Sequence, residues 1–208
     1  GWVAGDRGTI LRTTDGGRTW RRQRSGVSSA IESVACVDGE HAVAVAEDGR
    51  LLRTRDAGRS WTVAKPTRRA LRAVTMRGGA GVSCGDAGAI VRLSSRGRSW
   101  DVRSSGSVRS LRGVVLTRDG GWAVGGDPVG GSVVMHREDG ITWRPQESGE
   151  TSGLNAVDSA DGTYAIAVGN DGVALFTDDM GYTWMEGSSR TTVPLSDVRC
   201  LSTLEAWA

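Results

Sequence analysis

The sequence predicts an all-β protein, a β-propeller of four-stranded antiparallel blades, and two observations lead to this prediction. The first is a repeat of about 40 residues: a Trp recurs five times, with one Gly twelve residues before it and another three residues before it. The repeated residues are Trp20, Trp61, Trp100, Trp143 and Trp184. The second is composition, because 31 of 208 residues are Gly, a share that disfavours long helices. A period near 40 with many short strands is typical of propeller blades.

Each repeat contains four candidate strands separated by turn signals. The first begins on Leu or Ile, and the predicted ranges are 31–36, 71–76, 111–116, 154–158 and 195–200. The second is small and apolar, as at 2–5, 42–45, 122–125 and 164–168. The third follows the first repeat Gly, as at 9–12 and 173–176, and the fourth begins at the repeat Trp. Asp-Gly and Gly-Gly pairs between the first two strands are strong hairpin signals.

The turn between the third and fourth strands carries the most specific motif, the Asp box, Ser/Thr-x-Asp-x-Gly-x-Thr-Trp. It stands at 13–20, 54–61 and 177–184, whereas Ser95 and Glu138 replace the Asp in the third and fourth copies, where we expect looser turns. The Asp is expected to accept N–H groups of its own turn, the Gly to supply a positive φ, and the Trp to cover the hairpin with its ring. The structural residues predicted from this motif are Asp15, Gly17, Trp20, Asp56, Gly58, Trp61, Gly97, Trp100, Gly140, Trp143, Asp179, Gly181 and Trp184.

The run from Trp2 to Trp20 resembles the repeat of the photosystem II stability/assembly factor family, and the segments 122–125 and 177–184 repeat its two halves. The resemblance covers the whole chain. It implies a non-catalytic, seven-bladed propeller that lies on the periplasmic or thylakoid-lumenal side and is membrane-associated. It further implies that the chain helps to assemble or stabilise a photosynthetic membrane complex, such as a reaction centre, by docking onto its protein subunits and contacting the membrane surface. Similar repeats occur in secreted bacterial proteins, sialidases and sortilin-like receptors.

The five copies predict a single propeller domain over residues 1–208. The repeat units cover about 1–30, 31–70, 71–110, 111–153 and 154–194, and residues 195–208 begin or close a further blade. Because the chain starts and stops in the middle of a blade, we expect part of a larger ring. A closed five-bladed ring is the alternative. No apolar run approaches the ~18 residues needed to cross a bilayer, so the chain is not expected to span a membrane.

The sequence predicts no enzyme, and no catalytic, metal-binding or cofactor-binding residue. His41 and His136 lie in different repeats with no partner at metal-ligand spacing. Cys36 and Cys200 occupy first-strand positions held elsewhere by Met76 and Leu116, which indicates core thiols. A disulfide between Cys36 and Cys200 would require a ring that closes at five blades. Neither Tyr is placed as a sialidase nucleophile. Two alternatives stay open, a secreted glycosidase or sugar-binding Asp-box propeller and a generic extracellular interaction module.

Charge is distributed unevenly along the chain and indicates a docking surface. Residues 1–118 carry a net +12 and residues 119–208 a net −10, although the whole chain is only +2. Such asymmetry suggests oriented docking on a charged partner, and the acidic half argues against nucleic acid. The candidate docking residues are Arg21, Arg22, Arg24, Arg68 and Arg69. The alternative interpretation is a charged outer edge that prevents edge-to-edge strand pairing. A polar first-strand series, which we expect to line the channel rim, consists of Glu32, Arg72, Arg112, Asn155 and Ser196.

Overall fold

The structure is a computed structural model that describes residues 1–93, 99–127, 130–138, 140 and 142–208. The chain forms two compact units, of which unit 1 comprises Gly1–Gly85 and Ile90–Arg103 and unit 2 comprises Asp86–Ala89 and Ser104–Ala208. Both units consist of antiparallel sheets, most of them four-stranded, so the predicted all-β propeller blades are confirmed. No helix in the described part of the chain has the length and hydrophobicity to cross a membrane.

Unit 1 contains three blades whose strands follow chain order across each sheet, except for two end residues of blade 3, Ala89 and Ser104, which belong to unit 2. Blade 1 consists of β1 (Trp2–Gly5), β2 (Thr9–Arg12) and β3 (Arg21–Arg24). Blade 2 consists of β4 (Ile31–Cys36), β5 (Ala42–Ala46), β6 (Leu51–Thr54) and β7 (Thr62–Ala64). Blade 3 consists of β8 (Leu71–Arg77), β9 (Ala80–Gly85), β10 (Ala89–Leu93) and β11 (Trp100–Ser104).

Unit 2 contains two four-stranded blades and a short hairpin. Blade 4 consists of β12 (Leu111–Leu116), β13 (Gly121–Asp127), β14 (Gly131–Arg137) and β15 (Arg144–Gln146). Blade 5 consists of β16 (Leu154–Ser159), β17 (Ala165–Gly169), β18 (Ala174–Thr177) and β19 (Met185–Glu186). The hairpin pairs β20 (Arg199–Cys200) with β21 (Ala206–Trp207).

The sequence placed most strands within one or two residues, but two predictions were wrong. The fourth strand begins one residue after the repeat Trp in blades 1, 2, 4 and 5, because this Trp still belongs to the turn. In blade 1 the indole nitrogen of Trp20 donates back to the carbonyl oxygen of Gly17 at 3.0 Å. The predicted strand at 195–200 shrinks to Arg199–Cys200, since the backbone of Leu195 bonds instead to blade 5, its N–H donating to Gly169 at 2.9 Å.

The hydrophobic core lies between the faces of successive blades within each unit. Strand β5 shows how one strand serves two interfaces, because all five of its residues are buried. Its small residues Ala42 and Ala44 pack with Trp2 of blade 1, while Val43 and Val45 pack in a second cluster with residues of blade 3. Successive side chains of a strand point to opposite faces, so the Ala/Val alternation makes room for a large indole on one side and fills space on the other.

The Gly twelve residues before the repeat Trp is required by close backbone packing in four of the five repeats. Gly8 has φ +65°, and a Cβ built on it would lie 2.0 Å from the carbonyl oxygen of Val27. The left-handed φ and the missing side chain are therefore both needed where the turn between β1 and β2 packs against the loop that follows β3. Gly172 repeats this arrangement in blade 5, where a Cβ would lie 1.9 Å from the oxygen of Thr191.

Candidate docking surface

The first Asp box forms a closed hydrogen-bond network within its own turn. The hydroxyl of Thr13 donates to Asp15 Oδ1 at 2.7 Å and accepts from the backbone N–H of Gly17 at 2.9 Å. The backbone N–H of Thr19 donates to Asp15 Oδ1 at 2.9 Å, and the Thr19 hydroxyl donates to Asp15 Oδ2 at 2.6 Å. Both carboxylate oxygens of Asp15 are thus engaged inside the turn.

The boxes at 54–61 and 177–184 repeat this network. Asp56 accepts from Thr54 and from the backbone and hydroxyl of Ser60. Asp179 accepts from Thr177 and from the backbone and hydroxyl of Thr183. Hydrogen bonds to the charged form stabilise it, so the pKa of Asp15 is lowered to about 2, mainly by Thr19, and those of Asp56 and Asp179 are lowered to about 2 in the same way. These carboxylates remain ionised at neutral pH and are occupied by turn donors.

The fourth box, which has Glu138 in place of the Asp, differs from the intact ones. In the fourth, Glu138 lies 3.7 Å from the ring of the buried His136, and the guanidinium of Arg137 lies 5.5 Å from the ring centre of Trp143. Trp143 is only 7% exposed, whereas Trp20, in an intact box, is 40% exposed. The repeat Trp of the first box is therefore less deeply buried than that of the fourth box, although it still packs on its own turn. In the third box, Gly97 and Ser95 lie outside the described residues.

Two glutamines that the sequence reasoning missed clamp adjacent blades together. Gln23, on β3, accepts at its side-chain oxygen from the indole nitrogens of Trp2 at 3.0 Å and Trp61 at 3.2 Å. Its amide nitrogen donates to the backbone oxygen of Ala57 at 2.9 Å. The fourth strand of blade 1 thereby holds the Asp-box turn of blade 2.

Gln146 makes the equivalent clamp in unit 2. Its side-chain oxygen accepts from Trp122 and Trp184, each at 3.2 Å, and its amide nitrogen donates to the oxygen of Met180 at 2.9 Å. The signal that could have revealed the clamp is a Gln three residues after the repeat Trp, found in the two complete repeats whose second strand begins on Trp.

The structure divides the candidate docking arginines among different surfaces. Arg21, Arg22 and Arg24 are exposed on β3, an edge strand that pairs only with β2. Because Gln23 points toward blade 2, strand alternation places Arg21 on that side and Arg22 with Arg24 on the opposite face. Arg22 lines a groove there beside Val3 and Leu11. The other two candidates, Arg68 and Arg69, are exposed in the loop after β7.

The polar first-strand series joins neighbouring blades. A guanidinium nitrogen of Arg72 lies 3.5 Å from Glu32 Oε1 in unit 1. In unit 2, Arg112 donates to Asn155 Oδ1 at 3.0 Å, and the Asn155 amide donates to the backbone oxygen of Leu195 at 3.0 Å. The pairs Glu32–Arg72 and Arg112–Asn155 thus join neighbouring first strands, whereas Leu195 lies before the short strand β20.

The three cysteines are free thiols with different surroundings. Cys84 and Cys200 are buried, and burial raises the pKa of the Cys84 thiol to about 12 and that of Cys200 to about 11. Cys36 is exposed, so the prediction of a core thiol was wrong at this position. The reason is that β4 ends on Cys36, where the chain enters the exposed turn before β5. In the described residues, no group of three His, Cys, Asp or Glu side chains is arranged to hold a metal.

Comparison with known proteins identifies the family. The family model described as "Photosynthesis system II assembly factor YCF48" matches residues 1–123. No curated protein matches the sequence. A solved structure described as "YCF48 bound to D1 peptide" aligns with a TM-score of 0.60 at 19% identity, over 99% of this chain and 84% of that chain. The structure of U3-55K aligns with a TM-score of 0.73 at 15% identity, over 98% and 67%.

The computationally designed Ika4 protein aligns with a TM-score of 0.59 at 16% identity, over 71% of this chain and 90% of that chain. Identities this low show a shared fold alone. The family match rests on the sequence itself and covers more than half of the chain. The chain therefore belongs to the family of the photosystem II assembly factor YCF48.

Proposed function

We propose that this chain is a non-catalytic scaffold that docks onto protein subunits of a photosynthetic membrane complex and helps to assemble or stabilise that complex. The observation that carries the proposal is the family match over residues 1–123. A solved structure with a similar fold, described as YCF48, has a D1 peptide bound. The contact would form on the periplasmic or lumenal side, close to the membrane surface. In this proposal the five blades belong to one propeller domain.

The chemistry of the Asp boxes supports a structural role. If the chain were an Asp-box glycosidase, Asp15, Asp56 and Asp179 would be candidate catalytic carboxylates. Each of them, however, accepts hydrogen bonds from two residues of its own turn. With a pKa near 2 they hold no proton at neutral pH, so none of them can serve as a general acid. Their hydrogen bonds shape turns.

The exposed arginines of unit 1 supply the docking charge in this proposal. Arg22 and Arg24 share one face of the edge strand β3, next to a groove whose lining includes Val3, Leu11 and the charged Asp6. Single exposed ion pairs contribute only about 0–1 kcal/mol, so several charges and apolar contact must act together. Complementary charge also fixes the orientation of an encounter and makes it sensitive to salt.

Co-purification of the tagged chain with pigmented membrane complexes tests the proposal. The variant Arg22→Glu/Arg24→Glu should be lost from the complex while its melting temperature stays unchanged. The matched control Arg144→Glu/Arg190→Glu makes the same change in charge at exposed positions of unit 2 and should be retained. Retention of both variants at full stoichiometry would contradict electrostatic docking. A wild-type chain that isolates with no pigmented complex, or that hydrolyses fluorogenic glycosides, would contradict the proposed function itself.

A further inference from the structure

The Asp box of blade 5 exposes two large side chains to solvent. Met180 is 43% exposed and Tyr182 is 72% exposed, and they stand on either side of Gly181 in one tight turn. The whole turn belongs to unit 2. Tyr and Met are enriched at the centres of protein interfaces relative to the rest of a protein surface. The turn is therefore a candidate contact site.

The Asp box of blade 2 shows that the turn does not require a methionine. Ala57 holds the position of Met180, with φ +62° against +63°. The backbone N–H of Ala57 donates to Glu40 at 2.9 Å. That of Met180 donates to Thr163 at 3.0 Å, in the matching turn of its own blade. Each carbonyl oxygen accepts from a clamp glutamine at 2.9 Å. The backbone contacts are the same in both blades, and an alanine is sufficient for them.

The backbone conformation makes a methionine costly at this position. A bulky side chain at a φ near +60° is uncommon, because its Cβ approaches the neighbouring backbone. The first Asp box has Gly16 there, at φ +72°. Since nearly half of the Met180 side chain stays exposed, its burial offers little in return. Strain of this kind is a reason to infer a function. Tyr182 likewise stands where the first two boxes have Arg18 and Arg59.

The charges beside the turn select the kind of group that it would bind. Asp178 is exposed at the second position of the same box, where blade 2 has Arg55. Asp161 is exposed in the turn that contains Thr163, the backbone partner of Met180. Residues 119–208 as a whole carry a net −10. A cation is attracted to such a surface, whereas an anion is repelled.

The chain itself shows how an arginine contacts an aromatic ring. The guanidinium of Arg12 lies 5.3 Å from the ring centre of Trp2. That of Arg137 lies 5.5 Å from the ring centre of Trp143. A guanidinium stacks on an aromatic face more readily than an ammonium group, because it is planar and more weakly hydrated. Tyr182 presents such a ring at the surface, next to a carboxylate-bearing segment.

We propose that the Asp-box turn of blade 5 binds an arginine side chain of the docking partner. The guanidinium stacks on Tyr182 and pairs with Asp178, while the methylenes of the arginine pack on Met180. This inference rests on the proposed docking function, and it adds an acidic, aromatic contact in unit 2 to the basic contact proposed for unit 1. Because an exposed ion pair and a cation–π contact are each weak, this site orients the partner rather than holding it alone.

Methyl signals of carbon-13-labelled methionine test the inference in the full chain. The sequence has four methionines, and Met180→Ala identifies the Met180 signal. The probes are N-acetylated, C-amidated tripeptides with a central Arg, citrulline or Glu between two glycines, of which citrulline has the shape of Arg without its charge. The Arg peptide should shift the Met180 signal, the citrulline peptide should bind at least threefold more weakly, and the Glu peptide should produce no shift. Equal binding of the citrulline peptide, or no shift with the Arg peptide, would overturn the inference.

Variants of the turn separate the ring from the charge. Tyr182→Phe keeps the ring and should bind the Arg peptide as the wild type does. Tyr182→Arg restores the residue of the first two boxes and should weaken binding at least fivefold. Asp178→Asn should weaken it at least threefold, whereas the matched control Glu147→Gln removes another exposed carboxylate of unit 2 and should leave binding unchanged.

Unchanged binding by Tyr182→Arg, or equal losses in Asp178→Asn and Glu147→Gln, would also reject the proposal. Each variant should melt within about 2 °C of the wild type, because the backbone contacts of the turn remain. If Tyr182→Arg fails to fold, Asp178→Asn provides the second measurement.

Two other occupants of the turn are outcomes of the same experiment. A Met180 shift with neutral phosphatidylcholine vesicles but not with the Arg peptide would make the turn a membrane contact. A shift on concentrating the protein alone, abolished in Tyr182→Arg, would make it a contact between copies. Either result overturns the proposal of an arginine on a separate protein partner.

The peptide measurement needs no membrane complex, so its result is separable from the test of the proposed function. Binding of the Arg peptide by a chain that does not co-purify with a pigmented complex would support the contact and contradict the function. Co-purification of a chain that ignores the Arg peptide would leave the function standing and reject the contact.

Discussion

The side-chain oxygen of Gln146 accepts a hydrogen bond from the indole nitrogen of Trp184 at 3.2 Å, and this contact joins the last strand of blade 4 to the Asp box of blade 5. The same oxygen accepts from Trp122 of its own blade, and the amide nitrogen donates to Met180 in the turn of blade 5. One amide therefore fixes two tryptophans and a turn. Donors that lose a partner while partly buried are costly, which makes the clamp a sensitive site for substitutions.

Gln146→Ala should lower the free energy of unfolding by about 1–3 kcal/mol, because it leaves the indoles of Trp122 and Trp184 without their acceptor. Urea denaturation of the variant and the wild type measures the difference. Gln23→Ala, which removes the equivalent clamp of unit 1, should cost a similar amount. A change below about 0.5 kcal/mol in both variants would show that water replaces the glutamine without loss.

Gly181→Ala should destabilise the protein by roughly 1–3 kcal/mol, since an alanine is strained at a positive φ. Gly181 has φ +83°, and a Cβ there would lie 2.1 Å from the side-chain oxygen of Gln146. In the double variant with Gln146→Ala the clash is absent, so the two costs should sum to more than the measured loss. Additive costs would mean that the turn and the glutamine are not in contact in solution.

Acid should destabilise the three intact Asp boxes. The pKa values of Asp15, Asp56 and Asp179 lie at about 2, below the usual 3.8, so the unfolded chain binds protons first as the pH falls. Their stabilising contribution is complete above about pH 4 and is lost as the pH falls toward 2. Thermal melts between pH 5 and 2 measure this slope. The triple variant to Asn should be less stable at pH 7 and show a flatter slope, and an unchanged slope would contradict the assignment.

His136 should add a second pH dependence closer to neutrality. Its ring is 5% exposed and stacks on Trp122, with ring centres 4.6 Å apart. Burial lowers the pKa of His136 below its usual 6.5, although the charge of Glu138 opposes this shift. The folded state therefore resists protonation, and stability should decrease as the pH falls below about 6.5. Melts from pH 7.5 to 5.5 should show the decrease in the wild type and in His41→Phe, which keeps His136. A decrease that persists in His136→Phe would reject this origin.

Most of the blade strands could be predicted because their signals are local. The predicted ranges 31–36 and 111–116 coincide with β4 and β12, since apolar alternation and the flanking turn residues act within a few residues of sequence. The positions of the fourth strands were less accurate, because the repeat Trp can end a turn or begin a strand with the same local sequence. Trp20 ends its turn through a bond to Gly17, whereas Trp100 already begins β11.

The exposure of Cys36 and the separation of the arginines onto two faces of β3 show a second limit of prediction from sequence. A repeat position predicts that a residue belongs to a strand, but exposure depends on what packs against that strand's end. Arg21, Arg22 and Arg24 lie within four consecutive positions, and the face that each one occupies follows from Gln23, whose side chain contacts blade 2. Strand alternation then separates the arginines.

The sequence by itself determined the repeat, the all-β blades, the turn chemistry of the Asp boxes and the family, because each of these depends on residue types at short, fixed spacings. Only the tertiary structure decided which blades are clamped by glutamine and which face of β3 carries Arg22 and Arg24. These features arise where residues about 38 positions apart meet, as Gln23 and Trp61 do. Contacts of that range depend on the packing of one blade on the next, whereas the Gln in the sequence marks only one partner of the contact.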